Sequence, residues 1–442
     1  MGDFEENLKN YLSNNMLLEN LAGMAARQGF DCWLVGGVLR DVLLGRAVAD
    51  VDLVTTVDPT PLAKSWARQQ SAHWFWLDKE RCQSRVLLRY GKLEFYFDFA
   101  PLRAETLDQD LSLRDFTINA LALPLVLPLA SQNLYDLLDG KRDLECGLIR
   151  SCSQQSLADD PLRILKGIRH CVALDFQLAQ ETEAQMRELS DRLVATAAER
   201  KRNELGRIMS SDNLSLGVNL LERCQLLPVL FGPSGESFSY PDLMTELNSM
   251  KKTIHQWMKR ESLAAVLVET YDEFIDRKTL YLLALFLRHY CSKESADFTT
   301  DRLRFSSRAT TVIETLVVLD FETLAAEFNK LPDNSRVRVL WLERLGPASI
   351  DQMLFYAALK QPDDLKISAI QQLLDDYLHI FTQGRVADLL TGREIKKLLP
   401  DISGKQIGLY KEKIKEAEIS GVISHKTDAK NLICKDFSID KI

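Results

Sequence analysis

One stretch of 24 residues, WLVGGVLRDVLLGRAVADVDLVTT at positions 33–56, constrains the fold more than any other part of the chain. It begins with an apolar run typical of a buried strand, and two glycines separate this run from a helical pattern that ends at Gly45. The following run, ADVDLVTT, alternates polar and apolar residues as a half-exposed strand does. The stretch therefore predicts a strand, a tight turn, a short helix and a second strand, which together form an α/β unit.

The glycine pair Gly36-Gly37 lies where the first strand meets the helix. Glycine lets a backbone approach a ligand closely, and the start of a helix presents free N–H groups to an anion. Arg40, in the first helical turn, adds a planar cation that suits phosphate. A tight turn that binds nothing is the alternative, and it is the usual role of an isolated glycine pair.

Two aspartates, Asp50 and Asp52, follow the helix with one residue between them. In a strand this spacing places both carboxylates on the same face, where they repel each other unless a cation lies between them. Carboxylate and phosphate oxygens are the ligands that Mg²⁺ prefers, and a pair of such ions forms a clamp for phosphoryl transfer. A polar strand edge is the alternative for an isolated Asp-x-Asp.

The chain changes character at about residue 150. Before this point, β-rich runs such as CWLVGG, SRVLLRYG and LEFYFDFAPL alternate with helical patterns, whereas nearly every later segment has the apolar spacing of a helix. A stretch rich in Gly, Pro and Ser at 231–242 predicts a linker, and a further boundary is expected within 381–392. These features predict an α+β chain whose four regions are 1–150, 151–231, 232–382 and 383–442.

Composition predicts a cytoplasmic protein without a membrane span. The eight cysteines are scattered without the spacing of a zinc site, which predicts reduced thiols, and no apolar run reaches about 18 residues. The net charge is −8, which taken alone disfavours a nucleic-acid binder. However, residues 383–442 contain 12 Lys+Arg and 9 Asp+Glu, so the basic end of an acidic chain permits local contact with a polyanion.

Several motifs in the same order resemble those of one family. The pattern Gly36-Gly37-x-x-Arg40-Asp41 followed by Asp50-x-Asp52 resembles the signature of class II tRNA nucleotidyltransferases and bacterial poly(A) polymerases, in the polymerase-β nucleotidyltransferase superfamily. The later matching stretches are DLSLRDFTINALAL (110–123), YDLLDGKRDLECGLIR (135–150), DDPLRILKGIRH (159–170), ERKRNEL (199–205) and, within 389–408, LLTGREIKKLL followed by ISGKQIG. The resemblance implies a nucleotidyltransferase head with a small mixed sheet, followed by an elongated all-α neck, body and tail.

The resemblance also implies roles for residues in the head. Asp50 and Asp52 would hold Mg²⁺, which activates an RNA 3′-hydroxyl for attack on the α-phosphate of a nucleotide. Gly36, Gly37 and Arg40 would face the triphosphate, and Arg114 and Asp115 would contact the incoming nucleotide. For Arg114 and Asp115, an ion pair at the start of a helix in FTINALAL is the alternative. Asp98, in FYFDFA, is expected either near the metals or as a cap at a strand edge.

Asp160 and Arg163 are implied to read the nucleotide base by hydrogen bonds, in place of a template. Three residues apart on a helix, they share one face. The alternative is that Asp160-Pro161 caps the start of that helix. The chain departs from the family at four positions that bear on nucleotide selection: Leu113 and Lys166 stand where arginines are usual, Asp159 replaces a glutamate and His170 replaces a phenylalanine.

Basic residues after the head and near the end of the chain are candidates for contacting an RNA backbone, although any one of them is also an ordinary surface charge. They would hold the acceptor stem and elbow of a tRNA. The candidates are Arg200, Lys201, Arg202, Arg207, Lys396, Lys397, Lys411, Lys413 and Lys415.

The function implied by the family is template-independent addition of C and/or A to the 3′ end of tRNA, with CTP and/or ATP as donors. Enzymes that add only CC or only A are alternatives, and the substitutions at Leu113, Asp159 and Lys166 leave them open. A poly(A) polymerase is a further alternative, but the chain lacks the Gly-Arg-Arg-Phe-Arg-Leu-like stretch expected after the first motif. A non-catalytic RNA-binding protein is disfavoured because Gly37, Arg40 and both aspartates are present.

Overall fold

The computed structural model describes residues 3–235, 238–291, 302–328, 338–339, 341–342, 348–360, 372–375, 389–400 and 402–439. The chain divides into two units, Met1–Val229 and Leu230–Ile442. The boundary expected at residue 231 lies next to this division. The boundary expected at 150 falls within the first unit and stays a prediction, and the one at 382 lies outside the described residues.

The first unit is built on a seven-stranded sheet in the order β3-β4-β5-β2-β1-β6-β7. Only β2 and β5 are parallel neighbours among these strands, and every other neighbouring pair is antiparallel. The sheet is therefore mixed, as expected. Its strands are Cys32–Val35 (β1), Asp50–Thr55 (β2), His73–Asp78 (β3), Gln83–Tyr90 (β4), Leu93–Pro101 (β5), Leu121–Pro124 (β6) and Tyr135–Asp136 (β7).

The two faces of this sheet differ in chemistry because side chains alternate along each strand. Val51 and Phe97 are buried on one face, where the Trp66 ring lies 4.7 Å from the Phe97 ring. On the opposite face lie Asp50 and Asp52, both exposed. Apolar packing thus fixes one side of the sheet and leaves the carboxylate side open to a ligand.

Helices and short pairings complete the first unit. The helix α8 buries Ile164, Leu165, Ile168 and Cys171 and leaves the side chain of Arg163 more accessible, as expected for an amphipathic helix. The helices are Phe4–Ser13 (α1), Met16–Gln28 (α2), Gly37–Leu43 (α3), Thr60–Gln69 (α4), Leu107–Ser112 (α5), Gly140–Cys146 (α6), Ser156–Asp159 (α7), Leu162–Leu174 (α8), Gln180–Glu188 (α9), Ala198–Met209 (α10), Leu214–Arg223 (α11) and Leu227–Phe231 (α12), the last of which contains the division. Leu148–Ile149 (β8) pairs with Gln177–Leu178 (β9), and 3₁₀ turns occupy Thr117–Asn119, Ser131–Asn133 and Ser190–Ala195.

The described residues of the second unit are mainly helical, and they include one small antiparallel pair of strands that the all-α expectation did not include. None of the helices described in either unit is long and apolar enough to cross a lipid bilayer. The strands are Thr270–Asp272 (β10) and Ile275–Asp276 (β11). The helices are Tyr240–Trp257 (α13), Glu261–Leu267 (α14), Arg277–Tyr290 (α15), Ser307–Val317 (α16), Phe321–Phe328 (α17), Ser349–Lys360 (α18), Gly392–Leu398 (α19), Gly404–Ile419 (α20) and Lys426–Ile439 (α21).

The four β-rich runs identified in the sequence correspond to β1, β2, β4 and β5, so these predictions are confirmed. The alternative of a helix in FTINALAL is wrong. Thr117–Asn119 forms a single 3₁₀ turn, and the apolar residues after it form the strand β6. A short apolar run fits a buried strand as well as a helix, and pairing with β1 decides the outcome here.

Candidate active site

The turn between β1 and α3 brings backbone into contact with the carboxylate of Asp52. Gly36 has φ 81° and ψ −148°, a conformation that strongly favours glycine. A Cβ atom at Gly36 would lie 3.0 Å from Oδ2 of Asp52 and 3.3 Å from Nη1 of Arg114. The glycine is therefore needed both for the backbone conformation and for the space that these two side chains occupy.

Three aspartates lie close together on β2 and β5. Asp50 and Asp52 share the exposed face of β2, and Asp98 is the direct neighbour of Asp52 in the parallel pairing. Arg85 binds the carboxylate of Asp98 through two hydrogen bonds, of 2.6 and 2.8 Å. Asp98 thus lies near the predicted metal site, but an arginine already satisfies its carboxylate.

The surroundings of Asp52 suit a bound cation. Its side chain is accessible from a concave surface, yet the protein around it displaces much of the bulk water. This desolvation raises the pKa of Asp52 to about 6, with Asp98 and Asp50 adding to the rise and Arg114 opposing it. No described residue forms a hydrogen bond with the carboxylates of Asp50 or Asp52, so their oxygens are available to a ligand.

A metal at this position would need ligands beyond the protein. Within the described parts of the chain, no group of three or more His, Cys, Asp and Glu residues is arranged to hold a metal ion. Two carboxylates that leave the remaining positions to substrate oxygens agree with the way Mg²⁺ is bound at phosphoryl-transfer sites. The donor chemistry of Asp50 and Asp52 therefore fits a substrate-completed magnesium site.

A cavity of about 270 Å³ opens beside Asp52, and we call it the nucleotide cavity. It brings together residues that are far apart in the sequence, including seven of the eight predicted to bind the nucleotide. Arg103 and Asn119 also line it, and neither was singled out from the sequence. The full lining is Gly36, Gly37, Asp52, Arg103, Arg114, Asp115, Asn119, Asp160, Arg163 and Lys166.

Arg40 is the predicted nucleotide-binding residue that the cavity lining does not include. Its guanidinium forms two hydrogen bonds with Asp41 and donates from Nη1 to Oδ1 of Asn119 over 2.7 Å. Asn119 in turn donates to Oδ1 of Asp115 over 3.0 Å. These contacts of Arg40 hold Asn119, and through it Asp115, in the cavity wall, and its contact with the triphosphate stays a prediction.

Arg114 lines the nucleotide cavity, and it forms an ion pair other than the one suggested for the start of a helix in FTINALAL. Its Nη2 lies 2.8 Å from Oδ2 of Asp110, four residues earlier, in a buried ion pair. Its Nη1 is the atom that approaches Gly36. The ion pair is therefore the means by which Arg114 is held in the wall of the cavity.

Asp160 and Arg163 both line the nucleotide cavity, and both have protein partners. Oδ1 of Asp160 accepts from the backbone N–H of Leu162 over 3.3 Å, which is a weak version of the expected helix cap. Arg163 donates from Nη2 to the carbonyl oxygen of Leu113 over 2.9 Å and from Nη1 to Oγ of Ser156 over 2.9 Å. The backbone of Leu113 thus takes part in the site although its side chain departs from the family.

The other departures have different surroundings. Lys166 lines the cavity, whereas Asp159 is exposed, lies outside the lining and accepts a hydrogen bond from Gln155. His170 is buried, with its ring 5.8 Å from that of Phe116 in an edge-to-face contact. Only Lys166 among these three changes the chemistry of the cavity wall directly.

The predicted RNA-binding residues are not equally available. Lys201 is only 7% exposed, and its Nζ lies 3.4 Å from the carbonyl oxygen of Val194, so its predicted contact with RNA is wrong. Arg200 forms an ion pair with Asp160, and the part-buried Arg202 is less accessible than the exposed Arg207. In the second unit the side chains of Lys396, Lys397 and Lys413 are exposed, and those of Lys411 and Lys415 are half-buried.

Family models match two parts of the first unit and its boundary. The model described as Poly A polymerase head domain matches residues 32–150, which contain the sheet and both aspartates. The model described as Probable RNA and SrmB- binding site of polymerase A matches residues 175–238. These matches agree with the resemblance carried by the sequence motifs.

Individual relatives extend the match over most of the chain. A CC-adding tRNA nucleotidyltransferase of Geobacter sulfurreducens is 30% identical over 417 residues, which are 94% of this chain and 94% of the relative. An A-adding tRNA nucleotidyltransferase of Aquifex aeolicus is 30% identical over 270 residues, or 57% of this chain and 30% of that protein. A solved structure of a CCA-adding enzyme with CTP has the same fold, with a TM-score of 0.65, 23% identity and 99% of each chain covered. Sequence, motifs and fold agree along the chain, which belongs to the family of tRNA nucleotidyltransferases.

Proposed function

We propose that the chain adds C and/or A nucleotides to the 3′ end of tRNA without a template, with CTP and/or ATP as donors. The observation that carries this proposal is the nucleotide cavity, where Asp52 lies with Asp160, Arg163 and Lys166 in one lining. The proposed metal ligand Asp52 therefore lies in the same cavity as side chains that can form hydrogen bonds with a base and as several cations. The match over 94% of a CC-adding relative supports the choice of tRNA as acceptor.

Mg²⁺ is the cofactor that we assign to this reaction, with Asp50 and Asp52 as its protein ligands. When bound, it would neutralise charge on the triphosphate and lower the pKa of the attacking hydroxyl. The paired carboxylates have the preferred donor chemistry, and no described residue occupies their oxygens.

The chain itself supplies positioning and positive charge. The reaction joins the RNA 3′-oxygen to the α-phosphorus of the nucleotide and releases pyrophosphate, so negative charge must be stabilised around the phosphates. Arg103, Arg114, Arg163 and Lys166 are the cations in the cavity lining. Asp160 offers carboxylate oxygens and Arg163 offers N–H donors, which are complementary to the edge of a base.

Addition of CC alone is a second candidate. It is favoured by the relative that matches along 94% of both chains, since that protein is named a CC-adding enzyme. The A-adding relative from A. aeolicus matches only 57% of this chain. On this second proposal the chain would stop after two cytidines and leave the terminal adenosine to another enzyme.

Lys396 and Lys397, with Arg207, remain our candidates for contacts with the tRNA backbone. Lys397 and Arg207 have exposed side chains, and Lys396 is exposed but also donates to the carbonyl oxygen of Ile402. A tRNA substrate and eight cysteines that form no disulfide support a cytoplasmic location.

Nucleotide addition by the purified protein tests the proposal. The protein and Mg²⁺ are incubated with tRNAs ending before CCA, after C and after CC, and with an unstructured RNA, while CTP and ATP are supplied separately and together. Addition of CCA or of CC, followed by a stop, supports the first or the second candidate. A long A-tail on unstructured RNA, or no product, would contradict both.

Two matched variants test the carboxylates. Asp52→Asn should reduce turnover by about 10²- to 10³-fold, the scale of losing a group that stabilises transition-state charge. Asp78→Asn, which removes a carboxylate on β3 that does not line the nucleotide cavity, should leave turnover unchanged. Normal turnover of Asp52→Asn would contradict the metal assignment.

A further inference from the structure

A second cavity, of about 170 Å³, opens on the same side of the sheet as the carboxylates. It shares Asp52, Arg103 and Arg114 with the nucleotide cavity, so Asp52 borders both spaces. Its remaining lining comes from β1 to β5, without Asp160, Arg163 or Lys166. The two cavities therefore present different chemistry to the two sides of one carboxylate.

Two polar side chains that line the second cavity, those of Gln83 and Arg103, form no hydrogen bond with a described residue. Gln83, which is half-buried at the start of β4, forms no side-chain hydrogen bond with any described residue. The guanidinium of Arg103 likewise donates to no described residue, although the backbone N–H of Arg103 donates to Asp110. The half-buried amide of Gln83 favours a ligand that supplies the missing hydrogen bonds, and the exposed guanidinium of Arg103 is accessible to the same ligand.

One wall of the second cavity is apolar and accessible. Leu77 on β3 lines it and is 47% exposed, and Ala100 and Pro101 line it from β5. Leu77 lies where the pairing of β3 with β4 shifts register between Trp76 and Asp78. The cavity thus combines an apolar surface with an amide and a guanidinium.

We propose that the second cavity binds the 3′-terminal ribose of the RNA acceptor, with Leu77 packed against the sugar and Gln83 bonded to its 2′-hydroxyl. This inference rests on the proposed function. Nucleotidyl transfer needs two substrates that meet at one reaction centre, and the first cavity contains the residues suited to a nucleotide. The acceptor must reach Asp52 from another side, and the second cavity shares that residue.

The chemistry of the lining matches a ribose. The sugar carries two vicinal hydroxyls, and its 2′-hydroxyl both donates and accepts. The Gln83 amide offers both functions in return. Arg103, which borders both cavities, lies where it can contact the phosphate that links the terminal nucleotide to the rest of the RNA.

Removal of the 2′-hydroxyl tests the role of Gln83. Steady-state kinetics are measured with CTP and two acceptors, tRNA ending in a ribonucleotide and the same tRNA ending in a 2′-deoxyribonucleotide. The wild-type protein should use the deoxy acceptor about tenfold less efficiently, the effect of one hydrogen bond. Gln83→Ala should use the two acceptors about equally well, because the partner of the hydroxyl is missing. The KM for CTP should be the same in both proteins.

A bulkier side chain tests the location of the site. Leu77→Trp should raise the KM for tRNA about tenfold or more by filling the cavity, while the KM for CTP stays the same. Leu93→Ala is the matched control, because Leu93 is an exposed leucine on β5 that lines neither cavity. An unchanged KM for CTP in each variant also shows that the first unit is folded.

The outcomes separate this inference from the proposed function. No incorporation by the wild-type protein would overturn both. An active wild-type protein with Gln83→Ala still sensitive to the missing hydroxyl, and Leu77→Trp with an unchanged KM for tRNA, would overturn the inference alone.

Discussion

Arg200 donates a hydrogen bond from Nη2 to Oδ2 of Asp160 over 3.1 Å, while the other carboxylate oxygen, Oδ1, accepts from the backbone of Leu162. The helix cap and the ion pair therefore use different oxygens of one side chain. Arg200 had been expected to contact RNA. Its contact with a cavity residue instead indicates that it orients the carboxylate proposed to read the base.

Substitution of Arg200 should weaken nucleotide selection. In Arg200→Ala, we expect the preference for CTP over UTP, measured as a ratio of kcat/KM values, to fall by at most about fivefold, the effect of a part-exposed ion pair. Arg192→Ala is the control, since Arg192 is an exposed arginine in a nearby 3₁₀ turn. If both variants lower the affinity for tRNA without changing selectivity, Arg200 acts as an RNA contact.

Substitution of Ser156 should release Arg163. Ser156 is 1% exposed, donates from Oγ to the carbonyl oxygen of Arg114 and accepts from Nη1 of Arg163. Ser156→Ala should reduce the free energy of unfolding by about 1–3 kcal/mol, because buried polar groups lose their partner. It should also raise the KM for the nucleotide but not for tRNA.

The control for Ser156 is Ser112→Ala, which removes an exposed hydroxyl bonded to the carbonyl oxygen of Asp108. Chemical denaturation and steady-state kinetics measure both effects. An unchanged KM for the nucleotide in Ser156→Ala would show that Arg163 keeps its position without the hydroxyl.

Substitutions of Gly36 and Gly29 should separate the effect of backbone strain from the effect of crowding at Asp52. Gly36→Ala places a Cβ atom 3.0 Å from Asp52, whereas Gly29→Ala, with φ 73° in the wild type, meets nothing within 4 Å. Both variants should lose about 1–2 kcal/mol of stability, because alanine disfavours positive φ. Only Gly36→Ala should also lose turnover, at least tenfold. Equal turnover in the two variants would show that Asp52 tolerates the added carbon.

The buried His170 should make stability depend on pH. Burial lowers its pKa well below 6.5, and the neighbouring cations Arg169 and Arg40 lower it further. The unfolded chain therefore binds a proton near pH 6.5 that the folded chain does not bind. Stability from this residue is fully present above about pH 6.5 and is lost below it, by up to about 1.4 kcal/mol per pH unit until the pH reaches the folded pKa.

His170→Phe removes this contribution and keeps a ring against Phe116. Unfolding by denaturant between pH 8 and pH 5.5, without metal or nucleotide, should show a smaller loss of stability on acidification for the variant. Parallel pH profiles for the two proteins would show that His170 has the same pKa in the folded and the unfolded chain.

The sequence was sufficient to predict features that depend only on residues close together in the chain. Alternation along a strand placed Asp50 and Asp52 on one face, and the glycine pair marked the turn that contacts Asp52. The family motifs identified eight residues that line the nucleotide cavity, Asp52 among them. The hydrogen bond between Arg40 and Asn119 could not be predicted, because the two residues lie 79 positions apart in the chain.

Residues that depend on tertiary pairing could not be assigned from the sequence. Gln83 and Leu77 border the second cavity only because β3 and β4 pair beside β5. The residues around Lys201 have the composition of a surface helix, but the packing of α10 buries the Lys201 side chain. The presence of a basic residue in a helical pattern does not reveal which face of the helix packs against the rest of the protein.

The position of β1 in the sheet sets a lower limit on the length of a chain fragment that can form the active site. β1 lies between β2, which follows it closely, and β6, which is formed by residues 121–124. Any fragment that stops before β6 leaves one side of β1 with unpaired N–H and C=O groups and an apolar surface, a combination that promotes aggregation. During synthesis the glycine turn would thus be secured only after Pro124 has emerged from the ribosome, and truncated heads for expression should extend beyond that residue.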